Sequence, residues 1–238
     1  MISLLLLLQS GNLMEGEVLE YQARLGFFNI GKILLENRGL EYLEGKPVYH
    51  FRLFAKGGAL GIRLYEDFHT WVDTSTFATV KFHKKQDEPG WKYDVVITYK
   101  NDTAYYKGIR NGKQIEEKYP VPSGAMDFVG MIYYIRKVGI EPGETLRIPY
   151  HMDGFSGTAR VFVREVKNCS WVKKKDDTCY SIAPIVPVDK GKAREVLNRG
   201  GELLISSEYM IPVKIKVGMK VGSIVGFLRN IRGIPSGK

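Results

Sequence analysis

The feature that most constrains this chain is a two-residue rhythm, broken at short intervals by turn residues. In Val48–Ala55, Tyr49, Phe51, Leu53 and Ala55 fall on one face. Trp91 to Tyr99 sets Trp91, Tyr93, Val95, Ile97 and Tyr99 together, and Phe77–Lys84 places Ala78, Val80 and Phe82 on one side. Tyr209 to Val217 puts Tyr209, Ile211, Val213, Ile215 and Val217 on one face, with Met210, Pro212, Lys214 and Lys216 on the other. Side chains of a strand alternate between its two faces, so each run reads as a strand with one buried face. Residues 103–119 read as a hairpin turning at Asn111-Gly112, a pair suited to a type I′ turn. Strands and helices do not alternate regularly, which argues against a parallel nucleotide-binding sheet. The prediction is a mainly β protein: one large, strongly curved antiparallel sheet over residues 15–238 with one or two short helices, preceded by an apolar segment, 1–14.

Two stretches break the rhythm. Asp127–Lys137 is apolar almost throughout, with Asp127 as N-cap and Arg136 and Lys137 complementing the C-terminal dipole. A short helix that is apolar all round is buried or covers a cavity. Lys190–Asn198 reads as a short basic helix or a loop excursion.

The run Met1–Leu8 is too short to span a bilayer. It has the length of a trimmed secretory apolar region but lacks a basic start and a clear cleavage site; a buried first strand is the alternative. The two cysteines, Cys169 and Cys179, flank Lys173-Lys174-Lys175-Asp176-Asp177, which reads as a hairpin tip. A disulfide there is favoured over two free thiols and agrees with an oxidising compartment.

The net charge of +9 is unevenly placed. Residues 1–154 carry 19 basic and 19 acidic side chains, and residues 155–238 carry 16 and 7. A polyanion contact is therefore expected in the last third. Its candidates are Lys173, Lys174, Lys175, Lys214, Lys216 and Lys220, with Lys190, Lys192, Arg194, Arg199, Arg229 and Arg232 behind them. No nucleic-acid motif accompanies them.

Catalytic and metal motifs do not emerge. His50, His69, His83 and His151 lack ligand spacing. Ser156 sits in Gly154-Phe155-Ser156-Gly157, short of a nucleophile elbow. Lys56–Gly61 is Gly-rich without the ending of a phosphate loop. Glu66-Asp67 and Asp87-Glu88 place their carboxylates on opposite strand faces. The expectation is no cofactor, no metal and no enzyme.

Several blocks together resemble the bacterial envelope family called domain of unknown function 3108. They are Gly16–Tyr21 with Gly31-Lys32, Tyr65-Glu66-Asp67 leading to Val72-Asp73, Asp127-Phe128 through Tyr133–Arg136, and Gly143–Leu146 leading to Asp153-Gly154. Ile211–Ile215 followed by Val221–Leu228 looks like the family's closing hairpin. The resemblance implies export to the periplasm. It also implies a half-barrel similar to periplasmic lipoprotein carriers, with an apolar concave face lidded by helices. The apolar helix over an aromatic-rich curved sheet makes a lipid, an acyl chain or a lipoprotein segment the expected ligand, with Phe128, Met131, Ile132, Tyr133 and Ile135 as cavity or lid candidates. The alternative is a module that contacts an anionic membrane, an envelope glycan or a partner protein through the basic last third.

Overall fold

The computed structural model describes residues 13–59, 62–185, 201–218 and 223–233. The apolar run of the first twelve residues, the stretch 190–198, Arg199 and Lys220 lie outside them. The first half of the chain folds as consecutive hairpins: β1 (Val18–Leu25), β2 (Phe28–Leu43), β3 (Lys46–Ala59), β4 (Ile62–Asp73), β5 (Thr79–Glu88), β6 (Trp91–Lys100), β7 (Thr103–Arg110) and β8 (Lys113–Pro120). Helix α1 (Phe128–Val138) follows, and a second series completes the fold: β9 (Thr145–Met152), β10 (Phe155–Trp171), β11 (Lys174–Ile185), β12 (Glu202–Ser206), β13 (Pro212–Gly218) and β14 (Ser223–Arg232).

All fourteen strands form one sheet in the order β8-β7-β6-β5-β4-β3-β2-β1-β14-β13-β12-β11-β10-β9, every ladder antiparallel. The sheet is open, yet it curls until its ends nearly meet. Tyr106 on β7 reaches His151 on β9, at the far end of the strand order, with 2.8 Å between the hydroxyl and Nε2. The gap between β8 and β9 is bridged by the segment after β8: Met126 donates to Pro149 O at 2.9 Å and accepts from His151 N at 3.0 Å. One directed chain of hydrogen bonds runs along this seam. The N–H of Gly154 donates to the Tyr106 hydroxyl, which donates to His151 Nε2. His151 Nδ1–H donates to Ser156 Oγ at 2.7 Å, and Ser156 donates to Pro120 O at 3.1 Å. This order requires a neutral imidazole, in keeping with a His151 pKa pushed down to about 4 by burial.

Inward positions follow the alternation along most strands. Phe51, Leu53 and Ala55 on β3 and Val95 and Ile97 on β6 are all buried. β5 departs from the expected phase. A bulge lets Thr79 pair with Val72 and Lys81 with Trp71, so buried Thr79 and Phe82 share the inner face in place of the Ala78, Val80, Phe82 set. The Asn111-Gly112 hairpin forms as predicted, both residues at positive φ.

The cysteine hairpin turns later than its composition suggests. Trp171 pairs with Lys174, so only Val172 and Lys173 form the tip and the acidic pair lies within β11. Buried Asp177 is satisfied there, accepting from Trp171 Nε1 at 2.7 Å and from the Ser206 hydroxyl at 2.6 Å. Cys169 and Cys179 are joined as a disulfide across β10 and β11. Closing a loop of this size stabilises by about 2–3 kcal/mol in the chain-entropy view.

Candidate functional site

Helix α1 sits inside the curl. Asp127 caps it, its Oδ1 accepting from Val129 N at 2.8 Å and Gly130 N at 3.0 Å, while Oδ2 accepts from the hydroxyls of Thr70 and Thr79. Its other end is held by Arg136, whose Nε donates to Met210 O and whose Nη2 donates to Glu17 Oε2 at 2.9 Å. Arg136 and Glu17 are 2% and 1% exposed, so Arg136 is a buried anchor and not the dipole partner its position suggests.

The five residues expected to line a lidded cavity fill that space. Tyr133 stacks on Phe51 with 3.8 Å between ring centroids. Phe128 packs edge-on to Phe68 and Phe82. Met131 and Ile135 are buried in the common core, and Ile132 packs partly buried against it. Two hollows, of about 350 and 580 Å³, lie elsewhere. The first borders Asn168, Lys174 and Asp177, and the second borders Tyr65, Lys85, Asp87 and Asp94. A ligand beneath α1 would therefore need the helix to move outward.

Beyond the helix, the concave face becomes polar on β4–β8. Glu66 lies beside Glu88; burial and that second carboxyl push its pKa up to about 8. Lys84 bonds Asp153 at 2.8 Å over the Tyr93 ring, and Arg110 holds Glu117 through two bonds of 3.0 Å. Sequence reasoning separates Glu66 from Asp67 and Asp87 from Glu88 across the sheet. It does not pair Glu66 with Glu88, which meet because Glu66 faces Gln86 in the β4–β5 register.

On the convex face, His50 bonds Glu41 at 2.6 Å and His69 at 2.8 Å, and His69 Nε2 approaches Asp67 at 3.2 Å. Every charge in this cluster has a partner nearby. Among the described residues, Cys169, Asp177 and Cys179 form the one group of three potential metal ligands close together. Their sulfurs are bonded to each other, which removes both thiolates.

The unmatched charge lies further round the convex face, where β14 pairs with β1. Strand register aligns Lys214, Phe227, Gln22, Lys32, Lys56 and Tyr65 in one row across β13, β14, β1, β2, β3 and β4. The neighbouring row is Lys216, Val225, Arg24 and Asn29. Across β13, β14 and β1–β4 neither row contains a carboxylate; on the next strand, β12, Glu202 pairs with Lys216 and ends the second row. Arg24 and Arg229 both donate to Gln22 Oε1 at 3.2 Å, and Arg24 and Lys214 approach the Phe227 ring at 5.4 and 5.9 Å. At the rim of the rows, the Glu202 carboxyl is held below its ordinary pKa, against burial, by a Ser181 hydrogen bond and by Lys167, with smaller contributions from Lys214 and Lys216.

This arrangement divides the expected basic set. Lys214 and Lys216 belong to the rows. Lys173, Lys174 and Lys175 lie at the other end of the sheet, where Lys174 pairs with Glu208 and Asp177. Three members of the rows, Arg24, Lys32 and Lys56, come from the electrically neutral part of the sequence. Only the β1–β14 pairing, which sequence composition does not encode, brings them beside the basic C-terminal strands.

Among known proteins, a family model described as "Protein of unknown function (DUF3108)" matches residues 20–229. Among curated proteins, no match is found. A similar solved structure is the crystal structure of a beta-barrel-like protein of domain of unknown function DUF1849 from Brucella abortus, with a TM-score of 0.53 and 10% sequence identity. The match covers 92% of this chain and 97% of that one, and the likeness is one of fold.

Proposed function

The chain belongs to the DUF3108 family, and from that premise we propose that it is a non-catalytic, exported cell-envelope protein that attaches to an anionic surface through its convex face. The observation that carries this reading is the pair of rows containing Arg24, Lys32, Lys56, Lys214 and Lys216, in which the one carboxylate is Glu202 at the end beside Lys216. Lys32 and Lys56 pair directly on adjacent strands, about 5 Å apart in the pairing direction and inside the ~8–10 Å screening length of physiological salt, while Lys216 and Arg24 are two strands apart and Lys214 and Lys32 three. Holding such charges together is unfavourable until an anion covers them. The Cys169–Cys179 disulfide supports an oxidising compartment.

Binding to immobilised polyphosphate and to phosphatidylglycerol-containing vesicles tests the reading. Affinity for at least one should fall steeply with added salt, and K32Q/K214Q should lower both the affinity and its salt slope. An absence of binding to either at low salt would refute it. The alternative of an acyl chain on the concave face needs α1 displaced. Native mass spectrometry showing a co-purified lipid would favour that alternative.

A further inference from the structure

The β1–β2 turn adds a second kind of chemistry beside the cationic rows. Phe27 is 101% exposed and Phe28 57%, the two most exposed aromatics next to any of the row cations. The turn is tight: Gly26 has φ +57°, and Leu25 pairs directly with Phe28. Arg24 and Asn29, the next pair in the ladder, belong to the second cationic row. Lys32 follows three residues later on β2. On the other side, Leu25 pairs with Ile224, which pairs with Val217, itself 51% exposed and adjacent to Lys216.

Two adjacent phenylalanines at a hairpin tip gain nothing from water and are not used by the core. Exposed apolar tips ringed by cations match the composition of an anionic bilayer interface, where rings enter the acyl boundary and Lys and Arg meet phosphates. A soluble polyphosphate or glycan would satisfy the cations but leave the rings in water.

We propose that the β1–β2 tip inserts Phe27 and Phe28 into an anionic phospholipid bilayer while Arg24, Lys32, Lys214 and Lys216 engage its headgroups. The proposal rests on the anionic-surface reading above and specifies the surface. The cations supply long-range attraction that weakens with salt, and the rings supply short-range attraction that does not.

The test uses the full chain with vesicles of phosphatidylcholine doped with phosphatidylglycerol. Wild type should float with the doped vesicles and not with pure phosphatidylcholine. F27S/F28S should weaken vesicle binding by roughly an order of magnitude or more, with circular dichroism and thermal midpoint unchanged because both sites are exposed. F27W should gain a tryptophan signal quenched by brominated lipid, beyond the quenching of wild type. If F27S/F28S binds the doped vesicles as well as wild type, or F27W shows no added quenching, insertion is overturned while the anionic-surface reading stands. Binding to polyphosphate but not to vesicles also overturns insertion. Failure to bind either polyanion or vesicles removes both.

Discussion

His151 and His69 are both held neutral by burial, with pKa values pushed down from 6.5 to about 4. Glu66 is shifted the other way, from 4.5 up to about 8, by burial and by Glu88. These shifts have opposite consequences for stability. Between about pH 6.5 and pH 4 the unfolded chain binds protons that the folded histidines refuse, so acidification removes stability there. Between about pH 4.5 and pH 8 folded Glu66 keeps a proton that the unfolded chain has lost, so raising the pH removes stability. Where the windows overlap, two histidines oppose one carboxyl and the net loss is on the acid side. Urea midpoints measured across this range should decline toward both ends. H151N should shallow the acid limb and E66Q the alkaline limb; a limb unchanged by its substitution would show that the group does not titrate as described. The alternation separated Glu66 from Asp67 across the sheet but placed neither His69 nor His151 on a face. Their neighbours were not legible, because neighbours depend on register: His151 finds Tyr106 from forty-five residues away.

Helix α1 was the element best marked in the sequence. Its N-cap and apolar run located it to within a residue at each end. Its environment was less legible. An apolar helix is equally suited to filling a core or roofing a void, and only the Tyr133–Phe51 stack at 3.8 Å decides for filling. Arg136 sits where a dipole-complementing cation belongs, yet it is paired with Glu17, which lies 119 residues earlier in the chain. Removing the guanidinium strands a carboxylate among apolar side chains. R136L should therefore lower stability by about 3–5 kcal/mol, while R136L/E17L should recover much of that loss. Chemical denaturation of the two variants checks this. Equal losses in both would mean that the pair anchors α1 through geometry beyond mutual neutralisation. The β5 bulge and the late turn at Val172-Lys173 were hidden for a related reason. Both are fixed by partner strands, through Val72 and Thr79 in one case and through Trp171 and Asp177 in the other.

For the molecule as a whole, the sequence made a curved antiparallel sheet legible but not the strand order. That order has a charge consequence: it folds a neutral segment and a basic one into a single cationic face. It also has a topological one. β8 and β9, the edges of the sheet, are neighbours in sequence apart from α1 and its connections, whereas β1 and β14 lie side by side in the middle. Gly233 approaches Gly16 so closely that a Cβ on it would lie 2.1 Å from the Gly16 carbonyl oxygen. Joining these two glycines through a short linker and opening the chain in the exposed turn at Pro142-Gly143 would break no ladder. Such a circular permutant should keep the far-ultraviolet dichroism of the parent and a similar thermal midpoint; failure to fold would show that the turn after α1 is needed to form the seam. A permutant that folds would show that the β1–β14 ladder holds the two series of hairpins together whichever of them comes first in the chain.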